Sequence, residues 1–320
     1  MTLQLAIIIV NWNTKDLTLQ AIRTLFDDVQ KNGPAQTSLW VVDNASTDGS
    51  VEAIRRHFPN VNVIRSQENV GFGAGNNLAL RELGFGDSDA DSASLPEAVY
   101  LLNSDTITHS GATSTLYQTL MRLPDAGMVG ARLTYEDGSF QHSAFAFPGL
   151  LQLWIDLMPG AGRLYHTPLN GRYPQRLYES YEPFEVGHTL GATMMIKREV
   201  IQRTGMFDED FFMYAEEVDW SWRIQKAGWK IYCVPTAHVT HLEGKSTALV
   251  KPRSAKNLWE SRLRLFEKHY PRWKFVLAKW LIKLGMTRKI SQTRGAYQTR
   301  QISAKERDAL LDAYQEIRRL

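Results

Sequence analysis

Residues Val99 to Thr108 read VYLLNSDTIT. Four apolar, β-prone residues run directly into a polar cluster, so the segment reads as a buried strand that surfaces at Asn103, with Asp105 just past its end. A carboxylate in that place has two uses. It closes an Asx-type turn on nearby backbone, or it holds a divalent cation, since Mg2+ and Mn2+ take oxygen ligands together with substrate phosphates.

Three earlier segments have the same form: LAIIIV (Leu5 to Val10), LWVVD (Leu39 to Asp43) and VNVIR (Val61 to Arg65). Between the second and third, STDGSVEAIRRHF offers Ser46 or Asp48 as N-cap, then Val51, Ile54 and Phe58 at helical spacing. Strands alternating with helices predict an α/β fold, with a mostly parallel central sheet flanked by helices. In such sheets the ligand crevice lies outside the carboxyl ends of the strands. Here those ends carry NWNT (Asn11 to Thr14), DNAS (Asp43 to Ser46), RSQENVGFGAGNN (Arg65 to Asn77) and NSDT (Asn103 to Thr106), so the rim is the predicted site. Asp43 would offer an acceptor suited to a base N–H or a ribose hydroxyl. The glycines at 71, 73 and 75 depart from the dinucleotide fingerprint, yet they leave room for backbone to approach a ligand.

Further along, Glu216 to Ala227 reads as a helix stopped by Gly228, with Trp220, Ile224 and Ala227 as its buried stripe and Glu216, Glu217, Asp219 and Arg223 away from it or on its flanks. Three acids so close together require a positive field. A helix N-terminus supplies roughly 0.3 to 1 kcal/mol per well-placed charge, and Arg223 stands four residues beyond Asp219. A carboxylate kept ionised in this way can act as a general base; solvated acids at a surface helix start are the other reading. His241 ends a strand-like run before a glycine-containing loop, which makes it a candidate metal ligand or phosphate contact. Gly84 to Glu97 reads as a surface loop, and Gly149 to Gln175 as either a flap or a plain connection.

Composition sets the frame. With 43% hydrophobic and 22% charged residues, the chain is an ordinary folding sequence and disorder is not the default. The start, MTLQLAIIIVNWN, reads as a strand rather than a signal peptide. One cysteine, Cys233, excludes an internal disulfide and a cysteine zinc site, so a metal would be held by oxygen or imidazole. Residues 1–250 carry 19 Lys and Arg against 28 Asp and Glu, a net of −9, whereas residues 251–300 carry 14 against 2, a net of +12. Within the basic part, Arg272 to Ile290 interleaves lysines and arginines with Trp273, Phe275, Trp280 and aliphatic residues, as an interfacial helix on anionic lipid does. Its apolar segments are too short to span a bilayer. No nucleic-acid motif accompanies the charge. Packing against the rest of the fold, or a homodimer contact, is the alternative.

Taken together and in order, IIIVNWNT, VVDNASTDGS, NVGFGAGNN, LLNSDT, GATMMIKREVI, FDEDFFMYAEEVDWSWR and HVTHLEGKS resemble family 2 inverting glycosyltransferases with the GT-A fold, in particular the bacterial rhamnosyltransferase-like branch. The resemblance spans about residues 4–247 and implies a nucleotide-diphosphate-sugar donor. On it, Asn11, Asn13 and Asp43 bind base and ribose, Asn69, Gly71 and Asn77 line the nucleotide pocket, and Asn103 and Ser104 stand beside the donor. Asp105 matches the last acid of the DxD-type metal motif, and His241 the histidine that joins it on Mg2+ or Mn2+. Gly191 and Ala192 border the sugar. The ED-type pair falls on Glu216 and Glu217, which places the general base on Glu217 with Asp219 and Arg223 in support. Two departures stand out: Asn103 replaces the first DxD acid, and the second acid of the pair is Glu, so both glutamates remain candidates.

The expected organisation is a catalytic domain over 1–250 and a basic, amphipathic helical extension over 251–320. The expected activity is metal-dependent inverting transfer of a sugar, foremost rhamnose from dTDP-rhamnose, to a saccharide or polyprenyl-diphosphate-linked saccharide in cell-surface polysaccharide synthesis. The expected location is cytoplasmic, peripheral on the inner membrane face. A sugar-nucleotide nucleotidyltransferase is disfavoured because no basic glycine-rich loop is present to cradle a triphosphate. A non-catalytic nucleotide-sugar-binding protein would explain Asn103, but it gives no reason for the acids at 216 to 219.

Overall fold

Leu5, Ile7 and Ile9 point to one side of the first strand, and Ala6 and Ile8 to the other; all five are buried. A strand apolar on both faces belongs inside a sheet covered twice, and the architecture follows from that. The computed structural model of the chain describes residues 3–87, 91–158, 161–242 and 251–320. In chain order the elements are β1 (Leu5–Asn11), α1 (Lys15–Asn32), β2 (Thr37–Asp43), α2 (Ser50–His57), β3 (Asn62–Arg65), α3 (Phe72–Glu82), β4 (Ala98–Asn103), β5 (Thr106–Thr108), α4 (Ala112–Arg122), β6 (Ala126–Thr134), β7 (Phe140–Gln141) and β8 (Ala144–Phe145). Then come α5 (Leu150–Leu157), α6 (Gln175–Tyr178), β9 (Phe184–Val186), β10 (His188–Thr189), β11 (Thr193–Lys197), α7 (Arg198–Thr204), α8 (Glu216–Lys226), β12 (Lys230–His241), α9 (Lys251–His269), α10 (Arg272–Gln298) and α11 (Ala304–Arg319).

These elements form two compact units. The first holds the large sheet, in the order β3-β2-β1-β4-β11-β6-β12-β5. β3, β2, β1 and β4 are parallel neighbours, and β6 is parallel to β12. Between these blocks β11 runs antiparallel to both β4 and β6, so β6 and β12 point the same way as the first four strands. The consequence is a rim shared by the exits of β1, β2, β4 and β12 and by the start of β11. In register, Asn11 stands beside Asp43, Val10 beside Asn103, and His241 beside Thr106. One face of the sheet packs on Ile22 and Leu25 of α1 and Leu116 and Leu120 of α4. The other packs on Leu80 of α3, Val200 and Ile201 of α7, and Trp220 and Ile224 of α8.

Local details differ from the sequence reading in two places. α2 begins after Gly49, whose φ of 79° suits glycine; Asp48 accepts from the Ser50 amide at 3.0 Å, while Ser46 is used elsewhere. In α8, Ala227 is exposed just past the helix end, and Glu216 and Asp219 are buried. β12 continues past Pro235 through a register shift between Val234 and His238, the irregularity that a residue without an N–H imposes. The residues from Glu243 to Ser246, read as the loop after His241, lie outside the described residues, as does 88–90 within the acidic loop.

The second unit comprises Phe147–Arg172, Met213–Ala215 and Thr247–Leu320. Its core joins Leu153 and Leu157 of α5, Trp259, Leu263 and Phe266 of α9, Ala278, Leu281, Ile282 and Met286 of α10, and Ile317 of α11. The stretch after Gly149 is therefore neither a flap nor a bare connection: α5 is an integral core helix. Leu157 packs so close to Gly285 that a Cβ there would meet its Cδ2 at 2.5 Å. Among the described residues no helix is long and apolar enough to cross a membrane.

Candidate active site

The loops leaving β1 and β2 are laced together by buried polar groups. Asn11 Nδ2 donates to Asp43 Oδ1 at 2.7 Å and Ser46 Oγ at 3.0 Å, while its Oδ1 accepts from Thr14 and Thr18 hydroxyls at 2.8 and 2.7 Å. All four hydrogen-bonding positions of that amide are filled, so Asn11 organises the rim and has none left for a ligand. The other Asp43 oxygen accepts from the Ser46 amide at 3.0 Å, and each carboxylate oxygen keeps a second acceptor site. Asn13, in the left-handed region at φ 52°, donates its backbone N–H to Ser46 Oγ at 2.9 Å and accepts from the Thr47 amide at 2.8 Å. Thr14 and Ser104 hydroxyls meet at 3.2 Å, tying this corner to the turn after β4. Ser46 is the hub, a role different from the helix cap that the sequence suggests for it.

The glycine-rich motif serves packing. Gly71 has φ 91°, and a Cβ on it would fall 2.1 Å from the Phe212 carbonyl oxygen, which accepts from the Phe72 amide at 3.1 Å. Asn69 accepts from the Gly71 amide at 3.0 Å, and Asn44 donates to the Gly71 carbonyl at 2.9 Å. Asn77 is buried and brackets Phe207, donating to its carbonyl at 2.9 Å and accepting from its amide at 3.1 Å. Asn77 thus holds the segment ahead of α8 in place.

Around Asp105 four side chains meet. Its Oδ1 lies 3.3 Å from His241 Nε2; Asn103 Nδ2 is 3.4 Å from the same ring atom, and Gln141 Nε2 is 3.2 Å from His241 Nδ1. The pairing of β5 with β12 sets this geometry, and the Leu242 amide donates to the Asp105 carbonyl at 2.9 Å. Among the described residues no group of three or more His, Cys, Asp and Glu could hold a metal ion. The donors present are one carboxylate, one imidazole and a neighbouring amide. Two adjacent ligands of an octahedral cation at about 2.1 Å stand roughly 3 Å apart, so the Asp105 to His241 separation fits such an ion, with phosphate oxygens and water completing it.

At the start of α8, Glu216 is buried, and its Oε2 has no hydrogen-bond partner among the described residues. Burial, reinforced by the charge of Glu217, holds its carboxyl well above the usual carboxylate range. Glu217 is half-buried. A Cβ added to Gly191 would lie 3.8 Å from its Cβ and Cγ, and equally far from Phe72. Asp219 is fully buried and accepts from Arg223 Nε at 2.9 Å; the guanidinium also donates to the Thr204 and Met206 carbonyls at 2.5 and 2.8 Å. Asp219 and Arg223 therefore clamp α8 onto the end of α7. The two acid neighbourhoods connect through β11: Gly191 borders Glu217, the next residue, Ala192, accepts from the Asn103 amide at 3.0 Å, and Asn103 borders His241.

The family model described as glycosyltransferase like family 2 matches residues 4–259. The chain belongs to that family. Membership makes it a glycosyltransferase of the nucleotide-sugar-dependent kind. This glycosyltransferase is 32% identical over 212 residues to the N-acetylglucosaminyl-diphospho-decaprenol L-rhamnosyltransferase of Mycobacterium tuberculosis, covering 66% of this chain and 68% of that one. It is 26% identical over 222 residues to the low-salt glycan biosynthesis hexosyltransferase Agl10 of Haloferax volcanii, covering 69% and 62%. Its fold is similar to that of GalNAc-T7 solved with UDP, GalNAc and Mn2+, with a TM-score of 0.57 and 16% identity over 98% of this chain; the chain spans 54% of that protein's length. It is also similar to the mannosyltransferase PcManGT from Pyrobaculum calidifontis in complex with GDP-Man and Mn2+, with a TM-score of 0.53 and 16% identity over the whole of this chain and 86% of that one. The α/β architecture expected from the strand pattern is thus a GT-A fold followed by helices α9 to α11. In this glycosyltransferase the rim gathers Asn13, Ser104, Asn103, Asp105, His241, Gly191, Ala192 and Glu217, with Asn11, Asp43, Asn77 and Asp219 as its buried supports and the half-buried Arg223 behind Asp219. Gln141 is the site residue that the sequence reading missed, and Ser46 is the one whose role it misassigned.

Proposed function

We propose that the protein is an inverting, metal-dependent glycosyltransferase that moves rhamnose from dTDP-rhamnose onto a saccharide or polyprenyl-diphosphate-linked saccharide in cell-surface polysaccharide synthesis. The observation that carries this reading is the joining of Glu217 to the Asp105 and His241 pair through Gly191, Ala192 and Asn103 along one rim. The mycobacterial relative, named as an L-rhamnosyltransferase acting on a diphospho-decaprenol-linked sugar, supports the choice of donor sugar and acceptor. UDP-linked hexoses are the next donors to test.

In this reading Glu217 removes a proton from the acceptor hydroxyl. The freed oxygen bonds to the anomeric carbon as the bond from that carbon to the diphosphate oxygen breaks, on the opposite face. The configuration inverts and the nucleoside diphosphate leaves. Asp105 and His241, with Asn103 beside them, would hold Mg2+ or Mn2+, and the ion would neutralise charge growing on the departing diphosphate. Mixed carboxylate and imidazole donors favour Mn2+ over Mg2+. The raised pKa of Glu216 disfavours a second negative charge beside the base. We assign the transfer to residues 1–250 and the meeting with a membrane-borne acceptor to residues 251–320, on the cytoplasmic face of an anionic membrane. The test is release of dTDP by purified protein. Release that needs both dTDP-rhamnose and an acceptor is the expected result; acceptor-independent release, or none with any nucleotide sugar, would overturn it.

A further inference from the structure

α10 has two apolar faces, and only one is covered. At 3.6 residues per turn, Ala278, Leu281, Ile282 and Met286 share the face that enters the core of the second unit. Roughly opposite them, Trp273, Val276, Leu277, Trp280 and Leu284 make a second stripe, with 61%, 57%, 40%, 57% and 44% of their surface exposed. A helix lying on a water-soluble core keeps its outer face polar. Two tryptophans and three aliphatic side chains in a row on the outer face have no role in water. Elsewhere such exposure is scattered: among the described residues no other helix carries more than two large, apolar, exposed side chains, Leu151 and Trp154 of α5 being such a pair.

Cations edge the stripe. Arg272, Lys279 and Lys283 follow one border, Lys274 and Arg288 the other, and no acid occurs between Arg272 and Gln298. Lys274 lies over the rings of Tyr270 and Trp273, at 4.8 and 5.6 Å. An apolar row between two rows of cations matches the profile of a bilayer surface bearing anionic lipid, with acyl boundary beneath the row and phosphates beside it. A two-fold contact of α10 with its own copy would set lysines against lysines. A nucleic acid would leave the aliphatic side chains without a partner.

We propose that this outer face of α10 is a docking surface for an anionic lipid bilayer, with Trp273 and Trp280 seated at the boundary of headgroups and acyl chains. The inference deepens the reading of a membrane-borne acceptor and rests on that reading for its purpose, but its substance comes from α10. The test is co-sedimentation of the full chain with vesicles of phosphatidylglycerol and phosphatidylcholine in equal parts, against phosphatidylcholine alone. Expected are binding to the anionic vesicles that weakens with salt, a blue shift of tryptophan emission, and at least tenfold weaker partitioning for Trp273→Ser/Trp280→Ser. Changing Lys274, Lys279 and Lys283 to Gln should weaken binding about fivefold per charge. Circular dichroism and transfer to a water-soluble acceptor should persist in these variants, since none of the altered side chains belongs to the buried core of the second unit. No binding, or equal binding to neutral vesicles, overturns the proposal. So does a concentration-dependent dimer, broken by the double serine variant, in a protein that ignores vesicles. Transfer to the soluble acceptor without vesicle binding would sink the docking surface alone. Vesicle binding without transfer to any lipid-linked saccharide would sink the acceptor reading and leave the surface standing.

Discussion

Gln141 and His241 face each other at 3.2 Å, amide nitrogen to Nδ1, deep in the sheet rim. A carboxamide donates through one atom and accepts through the other, so half a turn of its plane fits either ring tautomer. The tautomer with the proton on Nδ1 leaves Nε2 a lone pair on the side of Asp105.

Gln141 should accordingly govern metal affinity through His241. Gln141→Leu is expected to weaken Mn2+ binding about 10- to 100-fold, read from the free-ion signal in electron paramagnetic resonance. Gln141→Glu, which keeps an acceptor toward Nδ1–H, should retain most of it. Unchanged affinity in the leucine variant would remove Gln141 from this role.

Glu217→Gln should lower the transfer rate by at least about a hundredfold, the usual loss on removing a general base, while dTDP-sugar affinity in calorimetry stays the same. If Glu216→Gln proves the more damaging change, the base is Glu216 instead.

Glu216 also sets a stability trend. Its folded pKa is raised by burial and then by Glu217, so below the unfolded carboxyl pKa, near 4.5, both states hold the proton and no penalty exists. As pH climbs from there toward the folded pKa, the unfolded chain ionises first and folding is disfavoured. Glu216→Gln removes that penalty. Its gain in Tm over the parent should therefore be larger at slightly alkaline pH than at the acid end of the window; a gain independent of pH would refute the assignment.

Gly71 and Gly49 make a matched pair. Both have positive φ, 91° and 79°, but a Cβ at 71 strikes a backbone carbonyl at 2.1 Å and one at 49 meets nothing within 4 Å. Gly49→Ala should cost about 1 kcal/mol, the left-handed penalty alone. Gly71→Ala should cost several times more in urea denaturation, because the Phe212 carbonyl cannot move without shifting the approach to α8.

Arg223→Leu leaves the Asp219 carboxylate buried without its arginine and frees two carbonyls. A loss of about 3 kcal/mol or more is expected. Asp219→Asn/Arg223→Leu should recover part of it, and a double variant no better than the single one would count against the clamp.

The elements nearest the chemistry were legible because their signal is local. VYLLNSDT shows its exit from the core in eight residues, and the same change from apolar to polar marks β1, β2 and β3. What escaped depends on pairing across the sheet. Gln141 reaches His241 only because β7 lies on β6 and β6 on β12, and no spacing along the chain announces that. Ser46 reads as a helix cap in sequence, and the structure spends it on Asn11 and Asn13. Burial of Asp219 was hidden for a similar reason: its arginine partner is visible at four residues' distance, but the carbonyls of Thr204 and Met206 that finish the clamp are not.

On the proposed reading, with Gly191 and Ala192 beside the sugar, the reversed direction of β11 has a bearing on how sugar preference can change. Because that strand enters the sheet at the rim, the short path from Leu190 to Thr193 is pinned at both ends, by the Leu190 amide on Ser143 at 2.7 Å and by the Ala192 carbonyl on Asn103 at 3.0 Å. Lengthening it would pull β11 out of register with β4. Variation there is confined to side-chain size, and a methyl at 191 would sit at ordinary contact distance, 3.8 Å, from Glu217. Exchanging one residue, rather than grafting a loop, is the route this scaffold leaves open for retuning what it transfers.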